Sequence, residues 1–312
     1  MAESLVSLQR VCKEYRANWS RNVKTALADI NLDIAHGESV GFIGHNGAGK
    51  STTIRIMLGL QRPTTGAVRL RGLDVTDPDS RRRVSYLPEN PLLYDYLTPL
   101  ELLEMGARMH GLVIPDLRGH CLSWLDRFGI AAVAKKPIKT FSKGMMQRTA
   151  LAHALSCEPE FLILDEPLSG LDPIGRREVV EILEDFRGSG RTLFFSSHVL
   201  FDVERLADRF VFIHEGRIRA VGSPDELLSA SAASYEVLIE GRSGLDGFSM
   251  ISARLWSRTV SEAALPELLR EIANSGGECK LHSLHNVNSL EKAYLKFVQS
   301  TASSSGSMGK HL

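Results

Sequence analysis

The chain has 312 residues, enough for two domains with a sizeable core, and its 37 Lys and Arg balance 37 Asp and Glu. That neutrality excludes an overall positive field for holding nucleic acid, so no nucleic-acid partner is expected and any membrane attachment should run through a protein. Four scattered cysteines (Cys12, Cys121, Cys157, Cys279) form no Cys-x-x-Cys pair, which fits a reducing compartment and gives no metal site.

No apolar run reaches the roughly 18 residues needed to span a bilayer, so no transmembrane helix is predicted. The start, Met1–Leu8, has no basic patch followed by a long apolar stretch and does not read as a secretory signal. The expected location is the cytoplasm, alone or docked on a partner.

Leu5–Val11 and Thr25–Ile34 alternate as strands do. Ser39–Ile43 is an apolar strand that runs into Gly44, His45, Asn46, Gly47, Ala48, Gly49, Lys50, Ser51 and Thr52, and residues 53–60 form the helix after this loop. Strand, glycine-rich turn and helix are the context that a phosphate-binding loop requires. A loop with few side chains can wrap its backbone N–H groups around phosphate oxygens, and the helix presents its positive end to the same charge. Lys50 then supplies a point charge for the β and γ phosphates, and Ser51 a hydroxyl for Mg²⁺.

Val68–Leu70 and Val84–Leu87 read as further strands. From Leu97 to about Lys136 the pattern is mainly helical, starting near Thr98-Pro99 and broken at Pro115. Ser142–Cys157 reads as another helix with a serine at its cap, and residues 95–157 form a helical subdomain inserted between sheet segments. Glu160–Asp165 is a short apolar run suited to a strand buried on both faces. Ile174–Phe186 is helical, Thr192–Ser196 a buried strand, and Val199–Ala207 a helix. Phe210–Ile213 and Arg217–Val221 pair around Glu215-Gly216. The alternation implies an α/β fold with a largely parallel sheet.

A Ser- and Ala-rich stretch near 229–234 ends the first domain, set at residues 1–230. Beyond it, a strand at Tyr235–Ile239, a helix at Leu265–Ala273, a strand at Cys279–Leu284 and a helix at Leu290–Gln299 give a small α+β domain, residues 235–299. The Ser- and Gly-rich tail 300–312 has a disordered composition.

Asp165 ends an apolar strand at the edge where α/β folds bind ligands, placing it to hold the hydration shell of Mg²⁺. Glu166 beside it can polarise an attacking water. His198, after the next strand, can hydrogen-bond a γ-phosphate; taken alone it would be a turn or surface histidine.

Together these motifs resemble the nucleotide-binding subunit of an ATP-binding cassette (ABC) transporter over about residues 3–228. Phe141-Ser142-Lys143-Gly144-Met145-Met146-Gln147-Arg148 resembles that family's signature, usually Leu-Ser-Gly-Gly-Gln or a close variant. Leu168–Pro173 is similar to the loop after the catalytic strand, and Ser197-His198 to the switch histidine. The resemblance implies a P-loop NTPase cassette with antiparallel N-terminal strands, ATP and Mg²⁺ as cofactors, and two copies that sandwich two ATP molecules head to tail. Ser142, Gly144 and Met145 of one copy would face the phosphate loop of the other, and Asp172 would link the sites. A separate multi-helix transmembrane permease subunit is the implied second partner, which would hold the chain on the cytoplasmic face of the membrane. Tyr15 fits the family's adenine-stacking aromatic, or packs on an edge strand. Lys13 and Arg16 lie near it, close to the phosphates but without an assigned role.

Three positions depart from the family pattern. Glu89 stands where glutamine is usual; it can still bind Mg²⁺ or water but cannot donate as an amide does. Lys143 replaces the first signature glycine, its charge facing solvent or adding to phosphate attraction. Met145 replaces glutamine and reads as a packing residue. Glu89, the Ser-Lys-Gly-Met signature and the C-terminal extension resemble exporters of the ABC-2 type. Gly44–Lys50 and Tyr86–Asn90, with the Ser-Lys-Gly-Met run, also resemble the ATPase that serves copper-site maturation of nitrous oxide reductase, a variant within the same branch. A soluble cassette acting on ribosomes or DNA is the other class; it usually carries a second cassette, a charged linker or long insertions, which this sequence lacks.

Overall fold

The first strand needs a register shift to keep its apolar side chains inward. In the computed structural model, which describes residues 4–16, 23–198, 204–229, 234–241, 244–252, 254–275 and 279–286, β1 (Ser4–Arg16) pairs antiparallel with β2 (Val23–Ala35). Strict alternation would turn Val11 away from Val6 and Leu8. The register shifts between Leu8 and Val11, around Arg10 at φ +49°, and all three are buried.

Strand β3 (Ser39–Ile43) is buried along its whole length. It leads through the glycine loop into α1 (Lys50–Met57). β4 (Thr65–Leu70) and β5 (Leu73–Asp74) complete the antiparallel sheet in the order β2-β1-β4-β5. β6 (Val84–Leu87) then enters the second sheet.

The helical insertion follows. α2 (Pro99–Met109) starts on a Thr98/Glu101 capping box, and α3 (Leu117–Arg127) on Asp116. α4 (Lys143–Ser156) starts on Ser142. Gly106 of α2 lies under the His153 ring of α4; a Cβ there would sit 2.3 Å from Nε2. Burial, with the charge of His110 second, lowers the His153 pKa to about 4.

The core resumes with β7 (Phe161–Asp165), α5 (Pro173–Gly188, capped by Asp172) and β8 (Thr192–Ser197). β9 (Arg209–His214) and β10 (Arg217–Gly222) are joined by Glu215 and Gly216 at φ +48° and +70°, the left-handed pair of a tight hairpin turn. The second sheet runs β10-β9-β3-β8-β7-β6, and β6, β7, β8, β3 and β9 pair in parallel. Gly41 lets the Phe210 ring pack on β3, because a Cβ there would lie 2.6 Å from it. Ile54, Ile56 and Met57 of α1 share one buried cluster with Val6 and Leu8 of the first sheet and Phe42, Ile163 and Phe194 of the second. The phosphate-loop helix is thus fixed from both sheets.

The chain divides into two compact units, Met1–Val221 and Gly222–Leu312. The second begins with α6 (Pro224–Ser229). It builds an antiparallel sheet from β11 (Ser234–Gly241), β12 (Ser249–Ser252), β13 (Leu255–Ser261), and β14 (Cys279–Asn286), in the order β12-β13-β11-β14. Between β13 and β14 runs α7 (Leu265–Asn274), whose Leu268 and Ile272 pack on Val237, Ile239 and Val260.

Several expectations need adjustment. β12 and β13 were not anticipated; their mixed polar residues carry no strong apolar alternation. Of the helix expected over Val199–Ala207, residues 199–203 lie outside the described residues, and Glu204–Ala207 is turn and irregular chain. The helix expected at Leu290–Gln299 and the tail 300–312 also lie outside them. Among the described residues, no helix is long and apolar enough to cross a membrane.

Candidate functional site

The C-terminal ends of β3 and β7 open onto one cleft of about 940 Å³, which His198, just after β8, does not line. Strand ends in a parallel sheet converge there because each connection must leave the same edge. His45, Asn46, Gly47, Gly49, Lys50, Ser51 and Thr52 form its floor, and Tyr15, Glu89, Asp165 and Glu166 line its sides.

The first turn of α1 carries N–H groups with no intrahelical acceptor. Gly49 is its N-cap at φ +116°, no side chain caps it, and no acid lies in the first turn. A Cβ on Gly49 would meet Leu27 Cδ2 at 2.7 Å and Ala26 O at 3.0 Å, and its φ is one that side chains rarely adopt, so glycine is favoured there. Gly47, at φ +84°, borders open space. A bare, positively polarised helix start beside a lysine fits a chain of phosphates.

Lys50 Nζ donates to the Gly44 carbonyl at 2.6 Å and lies 3.1 Å from Glu166 Oε1. The two side chains are 6% and 8% exposed, so this is a buried pair. Oε1 receives charge from Lys50 without a directed hydrogen bond. The other oxygen, Oε2, meets His198 Nδ1 at 2.7 Å. Glu166 therefore sits between a lysine and a histidine, on a backbone at φ +51°. A left-handed, non-glycine residue at a strand end is strain that the surrounding structure must hold. Here the Glu166 N–H donates to Ser196 Oγ at 3.0 Å, and Ser196 Oγ donates to Asp165 Oδ1 at 2.5 Å. One β8 serine thus positions both acids.

Ser51, Asp165 and Glu89 share the cleft and could hold Mg²⁺. Among the described residues, no group of three His, Cys, Asp or Glu side chains is placed to bind a metal by itself. That donor set fits Mg²⁺, which takes one or two protein ligands and completes its shell from water and phosphate oxygens. Behind Asp165, Tyr86 of β6 has its pKa pushed up to about 12, by burial first and then by the Asp165 charge, which Arg55 partly offsets.

Tyr15 is 39% exposed on the cleft wall. Lys13 is not among the cleft residues: its ammonium donates to the Arg62 carbonyl at 2.8 Å. The structure also brings in residues that the sequence did not mark. Lys24, Thr25 and Ala26 of β2 and the Glu215-Gly216 turn line the cleft. Gly216 N–H donates to Ala48 O at 2.9 Å, so the turn first read only as a hairpin also braces the loop. His45 meets His214 edge to face at 4.9 Å, and burial, followed by His45, lowers the His214 pKa.

Ser142, Gly144, Met145 and Asp172 do not line the cleft. Ser142 accepts the Met145 N–H at 3.3 Å, and Asp172 accepts the Gly175 N–H at 2.9 Å. Met145 packs against Leu102, Ile138 and Phe141. Lys143 is exposed and rests its methylenes near Gly170. The buried Gln147 amide donates to Pro167 O at 2.8 Å and ties α4 to the turn after Glu166. Gln147 lies within the signature run, but no role was read for it.

A parallel α/β sheet with a strand, glycine loop and bare helix at its C-terminal edge defines a P-loop NTPase. Residues 27–169 match the ABC transporter family model. The chain is 40% identical over 244 residues to an uncharacterized ABC transporter ATP-binding protein of Nostoc sp., covering 77% of this chain and 72% of that one. A lantibiotic transport ATP-binding protein of Streptococcus pyogenes is 37% identical, with 69% and 89% covered. An energy-coupling factor transporter ATP-binding protein of Symbiobacterium thermophilum is 39% identical, with 66% and 74% covered. Among solved structures, an ATP-binding subunit of an ABC transporter aligns with TM-score 0.66 and 33% identity, over 73% of this chain and 93% of that one. A dimeric bacterial ABC transporter cassette aligns with TM-score 0.65 and 26% identity, with 70% and 98% covered. The chain belongs to the ABC transporter ATP-binding proteins and is an ATP-hydrolysing nucleotide-binding subunit.

Proposed function

We propose that this chain is the motor of an ABC-2 type exporter, in which two copies close over two ATP molecules and drive a separate multi-helix transmembrane permease. The observation that carries this reading is the separation of two anion-binding elements. The bare start of α1 lies in the cleft, whereas the signature start of α4 does not. A head-to-tail second copy would supply its Ser142 and Gly144 to the γ-phosphate, with Met145 packed behind them and Asp172 linking the two sites. The similarity to a dimeric cassette supports this arrangement.

In the closed site Lys50 releases Glu166 and turns to the β and γ phosphates. Glu166 then accepts a proton from the attacking water, and His198 holds the γ-phosphate side of that water. Ser51, Asp165 and Glu89 would hold Mg²⁺, which neutralises charge on the phosphates. Tyr15 stacks on the adenine. Loss of the γ-phosphate removes the bridge between copies and lets them part.

Between Glu89 and α2 the surface carries Leu92, Tyr94 and Tyr96, which are 98%, 53% and 75% exposed. Clustered exposed apolar side chains mark a protein interface. They support a permease docking there and a position on the cytoplasmic face of the membrane. Export as the direction rests on the motif resemblance. Residues 1–230 act as the cassette, and residues 235–299 as an accessory domain.

Replacing Glu166 with Gln tests the mechanism. Hydrolysis is expected to be largely lost while Mg–ATP binding persists and a dimer accumulates. Retained hydrolysis would remove Glu166 from its role.

A further inference from the structure

The position of Tyr15 is set by two side chains that belong to no phosphate-loop or signature motif. Gln61 lies in the loop after α1, its backbone N–H held by the Arg55 carbonyl at 3.2 Å. Its amide meets the Tyr15 hydroxyl twice: Nε2 donates to Oη at 2.8 Å, and Oη lies 3.0 Å from Oε1. Lys13 places its ammonium 5.4 Å from the centre of the Tyr15 ring while donating to Arg62 O. Thr64 adds two more links between this loop and β1. Its N–H donates to Cys12 O at 2.8 Å, and its Oγ1 accepts the Glu14 N–H at 2.9 Å. The loop at the far end of the phosphate-loop helix is therefore stitched along the strand that carries the tyrosine.

An exposed tyrosine would otherwise sample several rotamers, and a base stacking on it would pay to freeze one. Anchoring the hydroxyl fixes the ring plane before any base arrives. The Lys13 ammonium adds a second hold on the ring, and Lys13 itself is not among the cleft residues. We propose that Gln61 is a positioning residue for nucleotide binding: with Lys13 it holds the Tyr15 ring ready to stack, and so sets the base-dependent part of ATP affinity. This rests on the reading of Tyr15 as the base-stacking residue. Gln61 acts through the Tyr15 hydroxyl alone, so its effect disappears once that hydroxyl is gone.

The test is a double-mutant cycle on the full chain, read by equilibrium binding of a non-hydrolysable Mg–ATP analogue and, in parallel, of Mg-tripolyphosphate, which has no base. Gln61→Leu and Tyr15→Phe are each expected to weaken analogue binding roughly 3- to 10-fold, as loss of one neutral hydrogen bond does. The double variant should be no weaker than either single one. Tripolyphosphate affinity should stay unchanged in all three, which also shows that the fold and the phosphate loop are intact. An equal Gln61→Leu effect in the Tyr15→Phe background, or a parallel loss of tripolyphosphate binding, overturns the proposal. Tyr15→Ala separates the two levels. If it leaves analogue binding unchanged, the stacking reading falls and the positioning role falls with it. If it weakens binding while Gln61→Leu does not, only the positioning role is overturned.

Discussion

Helices α1 and α4 begin in opposite ways. In the first unit, α2, α3, α4 and α5 each start on a side chain that accepts a backbone N–H: Thr98, Asp116, Ser142 and Asp172. α1 starts on Gly49 with no such cap. A side-chain cap stabilises a helix by about 1 kcal/mol, so the bare start costs stability. It sits where the cleft is open and where Lys50 adds positive charge. α4 starts on Ser142 with Lys143 and Gly144 next, but its N–H groups are partly satisfied within the chain, and its start lies outside the cleft. On the proposed reading, one terminus is completed by a ligand in its own cleft, and the other meets a ligand held mainly by a second copy.

The largest effect expected on this contrast comes from the α1 side. Lys50→Ala removes the point charge beside the bare terminus and the cation paired with Glu166. ATP hydrolysis should fall by roughly 100-fold or more, the scale of losing a charged transition-state contact. Steady-state rates near wild type would show that α1 does not bind the phosphates.

A second effect reaches α4 from its far end. His153 titrates at about 4 in the folded chain and near 6.5 when exposed. Between those values the unfolded chain binds more protons. Stability is therefore complete above about pH 6.5 and is lost as pH falls toward 4, by about 3 kcal/mol in total. Denaturant melts across this range check it, and His153→Gln should flatten that part of the profile.

The smallest effect distinguishes the two roles of Ser142. Ser142→Ala should lower stability by about 1 kcal/mol through loss of the cap. A fall in hydrolysis that exceeds this stability loss would separate nucleotide contact from capping, and thermal melts beside rate measurements make the comparison.

The α1 half of the site was legible because its chemistry is local. Gly44–Thr52 is contiguous, and Asp165, Glu166 and His198 stand at or just after the ends of fully buried strands, so residue type and position point the same way. Gln61, Ala26 and Glu215 were not legible. They reach the cleft or its tyrosine only through pairing of distant strands and a loop, and no spacing rule encodes that. Ser196 was read as ordinary strand, although its hydroxyl ties Asp165 to Glu166. The β11–β14 sheet was half visible for a related reason. Val237 and Ile239 alternate clearly on β11, whereas β12 and β13 mix serine, arginine and threonine with few apolar anchors.

Whether Ser142 completes the α1 site from a second copy can be measured directly. The Glu166→Gln chain and the Ser142→Arg/Glu166→Gln chain are sized by sedimentation with and without Mg–ATP. ATP should convert the first to a dimer and leave the second a monomer, because an arginine there blocks the contact of the α4 start with the partner's nucleotide. Equal ATP-dependent dimerisation of both chains, or none in either, would contradict a composite site.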